Sequence, residues 1–139
     1  MLSDAEIKTI WNASGDGAFG DIIRLCILTG CRKGEIAGLS RSEIDLVNQQ
    51  ITLPPWRTKN KREHVVPMSV PVQEIIQQRL AVVRADPSAD ANYLFKQRGA
   101  KRPFSNWPEA VQRLNGRINV PDWHAWLYCK FHGRQLVSR

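Results

Sequence analysis

Two short segments of strand-forming residues, separated by a strongly basic run, constrain the fold of this chain more than any other feature. Gln50-Ile51-Thr52-Leu53 is predicted as a strand, and Glu63-His64-Val65-Val66-Pro67 as a returning strand. Between them, Arg57-Thr58-Lys59-Asn60-Lys61-Arg62 contains four cations and no acid. Because short strands joined by a polar segment tend to pair antiparallel, the basic run is predicted to form the tip of a β-hairpin. Pro67 has no amide hydrogen to donate, so it should close its strand or lie at an edge.

Helical periodicity lies on both sides of this hairpin. Ser3-Asp4-Ala5-Glu6 has the form of a capping box that begins one helix, and a second helix is predicted from about Ala18 to a glycine cap at Gly30. The same spacing of apolar residues predicts helices over residues 33–39, from Ser69 to about Asp86-Pro87-Ser88, and from Asn106 to near Gly116, with Tyr93-Leu94-Phe95 as a short strand. This order indicates an α+β fold, mainly helical, with a small antiparallel sheet of about three strands.

The distribution of charge bears on the partner of this chain. The 139 residues carry 20 Lys and Arg against 13 Asp and Glu, which gives a net charge of +7. Residues 1–95 hold eleven charges of each sign, so the excess comes from nine cations and two acids in residues 96–139. Clustered cations indicate a polyanion such as nucleic acid, although a solvated turn and a basic tail would explain them equally well.

Composition excludes several other classes of protein. The apolar fraction of 42% argues against disorder, and no stretch approaches the roughly 20 apolar residues that cross a bilayer. The first residues are acidic and helix-like, unlike a secretory signal peptide. Three cysteines at no regular spacing favour a reducing compartment. We therefore expect a cytoplasmic chain with no membrane partner.

The stretch from Leu28 to Leu39, LTGCRKGEIAGL, is the most informative for chemistry. Arg32 follows a glycine helix stop and precedes a new helix, so its guanidinium should leave a well-supported corner. Glu35 lies one turn further on and can orient that guanidinium or cap the helix. A guanidinium held in this way presents a planar fork to two phosphate oxygens. An ordinary helix–turn–helix corner with a surface arginine is the alternative.

This stretch resembles the first arginine box of the tyrosine recombinases, the family of phage and prophage integrases. The resemblance continues through residues 57–60 and 64–69, and it includes residues 103–107, PFSNW, as in the prophage branch. It covers about residues 2–123, with the elements in the expected order. Three ordered segments with a lysine hairpin between them make the resemblance specific.

The resemblance implies phosphoryl transfer on duplex DNA without metal or ATP. In this reaction a tyrosine attacks the scissile phosphate and leaves a 3′-phosphotyrosine and a free 5′-hydroxyl, so fixed cations must stabilise the transition state. Arg32 matches the first such cation, Glu35 the acidic residue that supports it, and Lys59 the lysine that donates a proton to the leaving oxygen. No cofactor is implied. The expected partners are double-stranded DNA and other recombinase subunits.

Several residues near Lys59 have predicted roles outside the chemistry. Arg57, Lys61 and Arg62 are predicted to contact the DNA backbone, with solvated hairpin charges as the alternative. His64 matches a histidine common in this branch, and we interpret it as structural or adjacent to a DNA phosphate. Trp56 is interpreted as packing at the strand end rather than as a platform on which a base stacks.

A zinc site built from the cysteines is not expected. Cys26 and Cys31 would have to combine with Cys129 or His132 near the end of the chain. Cys26, however, falls on an apolar helix face, so the sequence predicts no metal site.

The match to the family ends near Trp123. The second family box, His-x-x-Arg, is absent because His124-Ala125-Trp126-Leu127 lacks the arginine, and neither Tyr93 nor Tyr128 occupies the position expected for the nucleophile. We therefore interpret residues 1–123 as part of a tyrosine-recombinase catalytic domain and residues 124–139 as a tail that does not match the family.

The predicted function follows from this division. The chain is expected to be a fragment of a site-specific DNA recombinase, truncated or frame-shifted, that binds the backbone of duplex DNA and is inactive alone. The alternative is a non-catalytic DNA-binding or regulatory module derived from a recombinase.

Overall fold

A computed structural model describes residues 2–85, 92–96, 104–121 and 123 of the chain. Within these residues five helices accompany one antiparallel sheet of three strands. The helices are α1 (Asp4–Ala13), α2 (Ala18–Thr29), α3 (Lys33–Ala37), α4 (Val70–Ala85) and α5 (Trp107–Asn115). The strands are β1 (Ile44–Asp45), β2 (Gln50–Leu53) and β3 (His64–Pro67), in the spatial order β1-β2-β3. The predicted α+β class with a small three-stranded sheet is confirmed.

The ends of the first two helices follow the local sequence. Ser3 and Glu6 form the predicted capping box: the Glu6 amide donates to Ser3 Oγ at 3.2 Å, and the Ser3 amide donates to Glu6 Oε1 at 2.9 Å. Gly30 ends α2 with φ at 73°, and its amide donates to the Cys26 carbonyl at 2.9 Å. Because this left-handed conformation favours glycine, the predicted cap at Gly30 is confirmed.

The hairpin forms as predicted, with the basic run between its two strands. Ile51 pairs with Val66 and Gln50 pairs with Pro67, so Pro67 closes β3. A single 3₁₀ turn at Pro55–Arg57 leads from β2 into the basic loop. On β2, Ile51 and Leu53 are buried against the core while the alternate residues Gln50 and Thr52 are half-buried, as expected for a strand with one face inside.

The third strand of the sheet is not the predicted one. The prediction of a strand at Tyr93-Leu94-Phe95 is wrong, because Tyr93 forms only an isolated bridge to Ser40. The third strand is instead β1, whose Ile44 pairs with Ile51. A tight turn returns the chain from β1 to β2, and Asp45 stabilises this turn by accepting a hydrogen bond from the Asn48 amide at 3.0 Å. Two residues are too few to show a strand period in the sequence.

One hydrophobic core joins the helices to the inner face of the sheet. Helix α2 contacts α1, α3 and α4, and three of its aliphatic side chains, Ile22, Ile23 and Leu25, are fully buried. The largest fully buried side chains are Trp123, Phe95, Ile10, Ile22, Ile23, Leu25, Ile36, Leu39, Ile51, Leu53, Ile76 and Leu94. The core therefore fixes α3 and the hairpin base relative to α2.

Some predictions fall on other parts of the chain. The predicted end of α4 at Asp86-Pro87-Ser88 and the predicted tail at residues 124–139 lie outside the described residues. No helix in the described part is both long and apolar enough to cross a membrane.

Candidate active site

The corner between α2 and α3 holds Arg32 in a defined position. Arg32 is the residue immediately before α3, and its backbone is extended there. Glu35 Oε1 accepts a hydrogen bond from the Arg32 amide at 2.9 Å, and Glu35 Oε2 lies 3.7 Å from Arg32 Nη1. Glu35 therefore caps the helix and also faces the guanidinium, which are the two roles that the sequence allowed. The Arg32 side chain keeps about a third of its surface exposed to solvent.

The loop that carries Lys59 is closed by Thr58. The Thr58 hydroxyl is buried, donates to the Arg62 carbonyl at 2.7 Å and accepts from the Arg62 amide at 3.1 Å. Lys61 adopts a positive φ of 58°, an uncommon conformation for a residue with a side chain, which completes the tight reversal. These contacts fix the backbone on both sides of Lys59.

Arg32, Glu35 and Lys59 meet at one solvent-facing cavity of about 440 Å³. Its walls come from α3 and from the start of the basic loop, and they comprise Arg32, Lys33, Gly34, Glu35, Arg57, Thr58 and Lys59. Four of these residues are cations and one is an acid. The cavity is thus suited to an anion that contacts both α3 and the hairpin.

A larger cavity of about 660 Å³ lies elsewhere, between the α1–α2 turn, α4 and α5. It shares no lining residue with the cavity that contains Arg32 and Lys59. The candidate site is therefore not identified by the volume of its cavity. It is identified because Arg32, Glu35 and Lys59 line the same cavity.

Arg57 is placed differently from the other hairpin cations. Its Nε donates to Glu43 Oε2 at 2.8 Å, and its Nη2 donates to Glu43 Oε1 at 3.2 Å and to the Glu35 carbonyl at 2.8 Å. Arg57 lines the cavity, but its guanidinium fork points into the protein. Sequence reasoning missed Glu43, although Ser40-Arg41-Ser42-Glu43 has the capping-box pattern that would have singled it out.

The remaining predicted contacts lie outside the cavity. Lys61, Arg62 and His64 are exposed, and none of them lines the cavity. Lys61 and Arg62 belong to the loop, whereas His64 is the first residue of β3 and pairs with Leu53. These three residues therefore present a polar surface that continues from the cavity along the hairpin.

The interpretation of Trp56 as a packing residue is wrong. Trp56 lies in the 3₁₀ turn before the loop and is 82% exposed. The turn Pro55–Arg57 directs the neighbouring Arg57 inward, so the consecutive indole is left on the outer side. Burial of an aromatic ring is the usual expectation for packing at the end of a strand, but this ring remains in solvent.

A contact between α3 and α5 brings Trp107, from the segment 103–107 that resembles the prophage branch, beside the site. The Lys33 ammonium lies 4.7 Å from the centre of the Trp107 ring, a distance typical of a cation–π interaction. Trp107 in turn packs edge-on against Phe104 with the ring centres 5.0 Å apart. The Lys33 contact could not be predicted, because cation–π pairs between separate elements follow no spacing rule.

The two cysteines near the Arg32 corner are buried rather than reactive. Burial raises the pKa of the Cys31 thiol to about 11, with the Thr29 hydroxyl acting in the opposite direction, and raises that of Cys26 well above its usual range. Among the residues with described positions, no group of three or more His, Cys, Asp and Glu side chains is arranged to hold a metal ion.

Comparison with known proteins identifies the family of this chain. A model of the phage integrase family matches residues 2–137. The chain is also 31% identical over 127 residues to the prophage integrase IntZ of Escherichia coli strain K12. This match covers 88% of the chain and 30% of IntZ. The chain therefore belongs to the phage integrase family, the tyrosine recombinases, and the resemblance found in the sequence is confirmed.

Solved structures show the same fold at lower sequence identity. A crystal structure of XerA recombinase superposes with a TM-score of 0.66 at 21% identity, over 86% of this chain and 44% of that one. The Tn1549 transposon integrase in complex with circular intermediate DNA gives a TM-score of 0.59 at 21% identity, over 91% of this chain and 49% of that one. The chain thus spans less than half the length of each of these relatives. The structure defines a tyrosine-recombinase catalytic-domain fold.

Proposed function

We propose that the cavity between α3 and the basic loop binds a phosphate of duplex DNA and forms part of a recombinase active site. The observation that carries this proposal is that Arg32 and Lys59, 27 positions apart in the chain, line the same cavity. Opposed cations on two elements can neutralise both non-bridging oxygens of one phosphate. An isolated surface arginine would have no such partner.

Each residue has a distinct proposed role in strand cleavage. A tyrosine oxygen attacks phosphorus and the bond from phosphorus to the 5′ oxygen breaks, so negative charge accumulates on the phosphoryl oxygens and on the leaving oxygen. The Arg32 guanidinium stabilises the phosphoryl oxygens, and the Lys59 ammonium transfers a proton to the 5′ oxygen. Glu35 keeps the guanidinium oriented through the contact at 3.7 Å.

The proposed partner is double-stranded DNA. The exposed cations Lys61 and Arg62, with His64 beside them, extend the basic surface from the cavity along the hairpin. The Tn1549 transposon integrase, which shares the fold, was solved in complex with circular intermediate DNA. The proposal includes other recombinase subunits as further partners and a cytoplasmic location.

We further propose that this chain alone does not cleave DNA. Its 139 residues contain no His-x-x-Arg sequence, so none of them matches the second arginine of the family. Residues 1–123 would supply the first half of the site, and residues 124–139 would add none of the missing groups.

A nicked suicide substrate tests these proposals together with duplex binding. A labelled duplex should bind with an affinity that falls steeply as salt rises, because released counterions drive binding. No covalent protein–DNA adduct should form. An adduct that disappears in Tyr128→Phe would contradict the proposed inactivity, and salt-independent or absent duplex binding would contradict the proposed partner.

A further inference from the structure

We propose that Arg57 is a positioning residue that holds the Lys59 loop against α3, the helix that contains Glu35 and begins directly after Arg32, rather than a contact to the DNA backbone. This inference rests on the proposed function, since Arg32 and Lys59 are the pair whose geometry it would fix. The Arg57 side chain links the two walls of the cavity, because it leaves the start of the basic loop and bonds to α3.

The guanidinium of Arg57 joins three segments of the chain. Its Nε and Nη2 donate to the two carboxylate oxygens of Glu43, at 2.8 and 3.2 Å, in a bidentate pair. The same Nη2 donates at 2.8 Å to the carbonyl of Glu35, which belongs to α3. One planar group therefore connects the turn before Lys59, the 3₁₀ turn at Arg41–Glu43 and α3.

Glu43 is itself held in place, so the link is rigid. Its side chain is 7% exposed, and its Oε1 also accepts a hydrogen bond from the Ser40 amide at 3.0 Å. A buried carboxylate needs partners for its charge, and removal of one partner of such a pair leaves the other uncompensated. Arg57 is thus the counterion of Glu43 and is not available as a freely moving surface cation.

The end of α3 fits closely around this guanidinium. A Cβ atom at Gly38 would lie 2.9 Å from Arg57 Nη1 and 3.1 Å from the Gly34 carbonyl oxygen. Glycine at this position lets the plane of the guanidinium approach the backbone. A lysine ammonium has neither the planar fork nor the two parallel donors, so it cannot make the same set of contacts.

Lys59 follows Arg57 by only two residues, so the position of the Arg57 backbone determines where Lys59 lies. Thr58 between them is buried and bonded to both the amide and the carbonyl of Arg62. Because proton transfer and phosphate binding depend on sub-ångström placement, a shift of this turn would separate Lys59 from Arg32 across the cavity.

Amide hydrogen exchange of the DNA-free chain tests directly whether Arg57 holds the loop against α3. Glu43→Gln and Arg57→Lys should each raise the exchange rates of the Arg57 and Arg62 amides about tenfold, because the loop opens locally once a charge-assisted bond is lost. Amides in the middle of α2 should keep their rates. Glu63→Gln is the matched control, since it removes the same charge from an exposed residue of the same loop. If the exchange rates of these loop amides in both variants are no higher than in Glu63→Gln, the inference is overturned.

A spectroscopic measurement with saturating duplex DNA tests the consequence for the site. The Lys59 side-chain signal of ¹³C-labelled protein should shift on DNA addition in the wild-type chain and in Glu63→Gln, and should shift by less than half as much in Glu43→Gln. Electrostatics alone predicts the opposite, since loss of a negative charge favours DNA. A full shift in Glu43→Gln overturns the positioning role. Absence of any shift in the wild-type chain rejects the proposed function. The hydrogen-exchange experiment then tests by itself whether Arg57 holds the loop against α3.

Discussion

The Glu35 carboxylate contacts both the backbone amide and the guanidinium of Arg32, one helical turn before it in the chain. One carboxylate oxygen accepts from the Arg32 amide at 2.9 Å, and the other lies 3.7 Å from Nη1. The same acid therefore starts the short helix α3 and faces the cation that the proposed chemistry needs. Because Arg32 keeps about a third of its surface exposed, the ionic contact contributes less to folding stability than the cap does.

Replacement of Glu35 separates these two contributions. Glu35→Ala removes the acceptor for the Arg32 amide and should lower the free energy of unfolding by about 1 kcal/mol. Glu35→Gln keeps an oxygen acceptor and should stay within about 0.5 kcal/mol of the wild-type chain. Urea unfolding of the two variants measures both values. A glutamine variant as unstable as the alanine variant would show that charge, rather than the cap, determines this contribution.

Gly38 should be intolerant of a methyl group only while Arg57 is present. Its φ of −88° is open to alanine, so the obstacle to Gly38→Ala is the Arg57 guanidinium 2.9 Å from the added carbon, together with the Gly34 carbonyl oxygen. We expect a loss of about 1–2 kcal/mol in the wild-type background. In an Arg57→Ala background the same change should cost at least about 0.5 kcal/mol less. Equal costs in the two backgrounds would show that Arg57 does not occupy that position.

Two tryptophans should differ sharply in their contribution to stability. Trp123 is fully buried and donates a hydrogen bond of 2.6 Å to Asn115 Oδ1, so Trp123→Ala should destabilise the chain by about 3–5 kcal/mol. Trp56 is 82% exposed, so Trp56→Ala should change stability by no more than about 0.5 kcal/mol. Thermal or urea unfolding distinguishes the two. A large loss in Trp56→Ala would restore the packing interpretation that the structure contradicts.

The exposed hairpin cations should contribute to DNA binding through charge alone. Arg62→Ala should reduce the slope of log affinity against log salt by about 0.9, the value for one phosphate neutralised. Lys8→Ala provides the control, because Lys8 is an exposed cation on α1 that does not line the cavity. The slope is measured by fluorescence anisotropy of a labelled duplex over a salt series. Equal slopes for the two variants would remove Arg62 from the DNA contact surface.

Much of the fold was predictable because local rules determine it. The capping box at Ser3, the glycine stop at Gly30 and the alternation in β2 each depend on a few neighbouring residues. The Tyr93 segment was predicted wrongly because three apolar residues suit a strand as well as an isolated bridge that buries the chain beside Ser40. Strand β1 has only two residues, so its existence depends on the turn that follows and not on its own sequence.

The residues that line the candidate site could be predicted from the sequence, but the contacts that hold them in position could not. Arg32, Glu35 and Lys59 were named from sequence because they match a family pattern, and the structure places all three at one cavity. The inward direction of Arg57 could not be predicted, since it depends on a buried acid 14 positions earlier in the chain. Long-range ion pairs leave no periodic signal. A cation in a basic run is therefore easily interpreted as a solvent-facing contact.

A double-mutant cycle on duplex DNA binding tests the central claim most directly. Arg32→Ala and Lys59→Ala are compared singly and together at low salt, where phosphate contacts contribute most. If the two cations bind one phosphate, their effects should be non-additive, with a coupling energy of about 1 kcal/mol or more. Additive losses within about 0.3 kcal/mol would contradict a shared anion and, with it, the proposed function of the cavity.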